Sequence, residues 1–111
     1  MKSTATSTPR EIERAARSAG QSCAAALAAP ADGGARANLA DTLMALEKAV
    51  VADGHDRSAH LRSLMHQAGV WADIVRSRIA DGRSAASVEH GLRRLQRVLA
   101  ALIDGLADGA K

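Results

Sequence analysis

From His55 to Ala80 the chain carries one uninterrupted helical pattern. With Leu61 as origin and about 100° per residue, Leu64, Met65, Ala68, Trp71, Ala72, Val75 and Ile79 fall between about −80° and +40°. That is one side of a helix. A lone amphipathic helix cannot bury such a stripe, so other segments must cover it, and the pattern predicts a helical bundle. It does not imply a reaction.

The rest of the chain supplies the cover. Thr8-Pro9-Arg10-Glu11 is a helix start: Thr8 can cap, Pro9 suits the first helical position, and Glu11 can close a capping box. Ile12, Ala15, Ala16, Ala19, Cys23, Ala26 and Leu27 then share one face. Small residues let a neighbouring helix come close but add little burial energy, so this helix is expected to be the least firmly docked. Pro30 ends it. In the second helix Leu39, Leu43, Leu46 and Val50 form the main stripe, while Met44 and Val51 sit more than about 100° from Leu39. The fourth begins after Ser84, a good N-cap. Val88, Leu92, Leu95, Val98, Leu99, Leu102, Ile103 and Leu106 follow within about 80° of Val88, the cleanest stripe in the chain.

Ala-Asp-Gly recurs at residues 31–33, 52–54, 80–82 and 107–109. The first reads as loop after Pro30. The others read as helix stops, because glycine enters the left-handed conformation without a Cβ clash. A calcium loop would need oxygen ligands at alternate positions and a closing Glu, which these triplets lack.

The resulting expectation is an all-α fold, an antiparallel up-down four-helix bundle with helices over about 9–29, 35–53, 56–81 and 85–107. Residues 1–7 are expected to be a disordered tail and 8–108 a single domain. The alternative is a three-helix unit with the first helix loose or exchanged between subunits. Composition adds the homodimer. Of 111 residues 26 are Ala, with no Phe or Tyr, so a second copy could complete a core poor in large side chains. The single Cys excludes an internal disulfide framework, and Cys23 reads as a small buried hydrophobe. Nothing uses oxidation, so the cytoplasm is the expected compartment. Residues 22–31 end in an Ala-x-Ala pattern, but Glu11 and Glu13 stand where a signal peptide would be basic. No segment is long and apolar enough to suggest a membrane span. Abundant Ala, Arg, Asp and Gly suit a GC-rich bacterial source.

Chemistry has little to work with. His55, His60, His66 and His90 lack the i, i+4 spacing of a helical zinc pair, and no metal or cofactor is expected. A histidine phosphotransfer domain is also a four-helix bundle and resembles a pattern of His followed by Lys and Gly three and four residues on. Here Ser63 and Leu64 follow His60, and Gly69 and Val70 follow His66. Arg93, Arg94 and Arg97 lie opposite the apolar stripe of the last helix, where they could meet phosphates, although no aromatic residue accompanies them to stack bases. The acids are spread over helix ends and outer faces, and no enzyme is expected.

Interaction surfaces remain. Val70 and Ile74 project away from the third helix's main face, and Trp71 lies at its edge. With Met44 and Val51 they are the candidate partner-binding residues. The run Leu43, Leu46, Glu47, Val50 followed by Leu61, Leu64, Ala68 is faintly similar to the helical hairpin of flagellar and type III export chaperones. That resemblance implies a small adaptor, chaperone or regulator that holds another protein's helix in a groove. The alternative is a basic nucleic-acid-associated regulator using Arg93, Arg94 and Arg97; a phosphotransfer role is the third reading.

Overall fold

A computed structural model describes residues 9–109. The proposed Thr8 cap and the 1–7 tail lie outside them. Four helices account for almost all of the described chain: α1 Pro9–Ala28, α2 Gly33–Ala52, α3 Ala59–Ala80 and α4 Ala85–Gly109. No strand occurs among the described residues. Each helix packs on two others, α1 on α2 and α4, and α3 on α2 and α4. α3 runs unbroken through Gly69.

The stripes become one core. α1 contributes Ile12, Ala16, Ala19, Cys23 and Ala26; α2 Leu39, Leu43 and Leu46; α3 Leu64, Met65, Ala68, Ala72 and Val75. α4 contributes Val88, Leu92, Leu95, Val98, Leu99, Leu102 and Leu106. Ala15, Leu27, Val50, Leu61, Trp71, Ile79 and Ile103 are half-buried against them. One polar tie enters: the Asn38 side-chain amide donates to the hydroxyl of Ser22, itself buried, at 3.2 Å.

Three local expectations need correction. α2 starts at Gly33, not Ala35, because the Asp32 carboxylate accepts from the Gly34 backbone N–H at 2.9 Å and caps the helix. The first Ala-Asp-Gly is therefore a helix start. α3 starts at Ala59, not residue 56. Ser58 Oγ accepts from Leu61 N–H at 3.2 Å, and residues 53–58 are irregular. That connection is held by a buried two-pronged pair: the Arg57 guanidinium donates to both Asp53 carboxylate oxygens at 3.0 Å. Only 1% of the Asp53 side chain and 12% of the Arg57 side chain are exposed. Third, left-handed glycine appears once among the described residues, at Gly82 with φ 68°. Gly54 follows α2 without it, and Gly109 still belongs to α4.

α3 and α4 approach closely at two glycines. A Cβ on Gly91 would lie 2.9 Å from Val75 Cγ2, and one on Gly105 would lie 2.6 Å from Leu61 Cδ2. Nearby, the Arg78 guanidinium donates to the Ser87 carbonyl at 2.8 Å.

Candidate functional site

Three large apolar side chains stay exposed among the described residues: Met44 (44%), Val51 (87%) and Val70 (42%). Their position follows from the core. Burying Leu39, Leu43 and Leu46 fixes the rotation of α2, and burying Leu64, Ala68 and Val75 fixes that of α3. The residues off those stripes then face outwards. Val51 and Val70 line one shallow groove between α2 and α3, together with Glu47, Val50, His66, Gly69 and Asp73. Val51 also lines its continuation with Met44, Lys48 and Arg76.

One ion pair crosses this seam. The Arg76 guanidinium donates to Glu47, linking α3 to α2, and reaches Asp73 more loosely at 3.4 Å. The Glu47 hydrogen bond, with the charges of Glu47 and Asp73 behind it, pushes the Arg76 pKa above its already high value. The pair ties α3 to α2 across the seam. Half-exposed ion pairs of this kind contribute little net stability, so its main effect is geometric.

The predicted partner residues divide. Met44, Val51 and Val70 share the α2/α3 surface. Ile74 is half-buried one turn beyond Val70. Trp71 instead turns to α4, where Arg94 lies over its ring at 5.8 Å from the centroid and His90 meets it edge-on at 6.5 Å. The Arg cluster therefore does have an aromatic neighbour, contributed by a different helix. Arg93 pairs with Glu89 at 2.9 Å, and Arg97 is exposed. Signals for this cluster were split between two helices and met only through their register.

The histidines stay apart. His60, His66 and His90 are exposed, His90 beside Trp71, and His55 lies in the connection before α3. Among the described residues no three of His, Cys, Asp and Glu gather as a ligand set. Cys23 is fully buried, and desolvation pushes its thiol pKa from 9.0 to about 12. Such a thiol is a poor nucleophile. No described helix is long and apolar enough to cross a membrane. No protein-family model matches the chain, and no curated protein or solved structure does either.

Proposed function

We propose that this protein is an antiparallel up-down four-helix bundle and that it acts as a non-catalytic helical interaction module. The α2/α3 face is its docking surface. The topology is supported by cross-helix pairs that run in opposite senses. Asn38 near the start of α2 meets Ser22 near the end of α1, and Arg78 near the end of α3 meets Ser87 near the start of α4. Gly105 lies over Leu61 while Gly91 lies over Val75.

The observation that carries the function is the confinement of the large exposed apolar side chains, Met44, Val51 and Val70, to one groove. Scattered exposed hydrophobes are ordinary, whereas apolar residues aligned along a helix–helix groove with charges at the margin suit a docked helix. Glu47, Lys48, Asp73 and Arg76 provide that margin.

The test is retention of a protein partner by the immobilised chain at high salt, lost in Val70→Asp. The second reading, a nucleic-acid regulator, is favoured by the Arg94–Trp71–His90 cluster. It predicts salt-sensitive retention on DNA or RNA, lost in an Arg93/Arg94/Arg97→Ala triple variant and indifferent to Val70. That outcome would overturn the first reading.

A further inference from the structure

The α2/α3 groove has a register that matches itself. Val51 on α2 and Val70 on α3 line the same stretch of it, on opposite sides. Lys48 is three residues before Val51, and Asp73 is three residues after Val70. Under the antiparallel reading these two steps run in the same direction along the groove. Lys48 and Asp73 therefore stand level with each other, one turn from the valines. Lys48 is exposed and makes no ion pair among the described residues. Asp73 is 64% exposed and held only by the loose 3.4 Å contact to Arg76.

We propose that the occupant of this face is a second copy of the chain, related by a two-fold axis running along the groove. This rests on the docking reading above and names its partner. The axis exchanges the sides of the groove and keeps the height. It sets α2 against α3 of the second copy, and α3 against its α2. Val51 then meets Val70 of the second copy, and Lys48 meets Asp73 of the second copy, each contact made twice. Self-complementary pairing of this kind is what an isologous interface requires. Met44 extends the apolar strip towards the aliphatic stem of Arg76 of the second copy, so that long side chain contributes cover as well as charge. A foreign helix would have to supply an acid for Lys48 and a base for Asp73 at a matching spacing; the chain's own surface already has both.

The experiment is sedimentation of the full chain from about 1 to about 500 µM, a range that covers the affinities of small interfaces. The wild type should move from 11.5 kDa towards twice that mass. Val70→Asp should stay monomeric. Lys48→Glu and Asp73→Lys, both exposed and compatible with helix, should each weaken pairing by roughly tenfold or more, because each sets like charges opposite one another. Mixing those two variants should restore a dimer. Only in the mixed pair does the introduced acid face the introduced base, while the other contact keeps Lys48 opposite Asp73. Helical circular dichroism confirms that every variant is folded. A wild type monomeric throughout, a dimer that survives Val70→Asp, or a mixture that stays monomeric would overturn the proposal. A monomeric chain that still shows Val70-dependent retention of another protein overturns the second copy alone. Loss of both overturns the docking reading too.

Discussion

α1 and α4 lie side by side, and each turns a fully covered face to the core. On α1 that face is Ile12, Ala16, Ala19, Cys23 and Ala26; on α4 it is Val88, Leu92, Leu95, Val98, Leu99, Leu102 and Leu106. Exposure is low on both, for example 0% at Ala19 and at Leu95. The energies are not alike. Each additional buried methylene contributes about 0.8 kcal/mol, and a buried Leu carries three more carbons than a buried Ala. α1 is held by Ile12, by half-buried Leu27 and by the Ser22–Asn38 hydrogen bond, whereas α4 is held along its whole length. Fractional burial therefore reports how closely the helices approach, not how firmly each is docked. α1 is expected to open first, in the manner of a local unfolding unit.

The largest effect that can break this contrast is a truncation on α4. Leu95→Ala should cost about 2–5 kcal/mol in denaturant unfolding, through lost transfer energy and a residual cavity. Ala19→Gly on α1 should cost about 1 kcal/mol, mostly from helix propensity. Equal losses would show that α1 is as firmly docked as α4. The next effect sharpens the contrast on the α3 side of α4. Gly91→Ala gains helix propensity but brings a Cβ to 2.9 Å from Val75 Cγ2, a stiff and fully buried side chain. A net loss of about 1–3 kcal/mol is expected from overpacking. Gly105→Ala meets the far end of the more flexible and half-buried Leu61, so its loss should be smaller.

A pH measurement addresses α1 directly. Burial raises the Cys23 pKa from 9.0 to about 12, so the folded thiol keeps its proton where the unfolded thiol has released it. The stabilisation is complete below pH 9.0 and is lost as pH rises through 9.0 towards about 12. By about pH 10 the loss should be about 1.4 kcal/mol relative to Cys23→Ala measured at the same pH. Modification by a thiol reagent should be limited by opening of the fold. If that opening is confined to α1, the modification rate will exceed the rate of global unfolding. A rate equal to global unfolding would mean that α1 leaves only with the rest.

The inner stripes were legible because their residues recur at helical spacing, and that survives any error in the ends. The ends were harder. Gly33-Gly34 reads as loop, and only the Asp32 side chain folding onto Gly34 makes it a helix start. His55–Ser58 reads as a continuation of α3 towards its N-terminus, yet the Asp53–Arg57 pair and the Ser58 cap hold it outside the helix. Met44, Val51 and Val70 could be recognised as lying off their stripes, but their meeting in one groove depends on the register of α2 against α3. The Trp71–Arg94 contact likewise required the register of α3 against α4. One available signal lay in α4 itself. Gly91 and Gly105 are interior helix glycines fourteen residues apart, on the same edge of the apolar stripe, which is where a neighbouring helix comes close.

The smallest effect concerns a glycine of the opposite kind. Gly20 lies inside α1, and a Cβ there would meet nothing within 4 Å. No close approach requires the missing side chain, and its φ is not left-handed. Gly20→Ala should therefore stabilise the protein by about 0.5–1 kcal/mol through backbone entropy alone. If α1 opens by unwinding, Cys23 modification should slow by the factor that corresponds to this free energy, because the open state no longer enjoys the gain in helix propensity. If α1 instead swings away as an intact rod, the substitution favours docked and open states equally. Global stability should then rise while the Cys23 rate stays unchanged. The two measurements together separate a helix that melts from one that detaches.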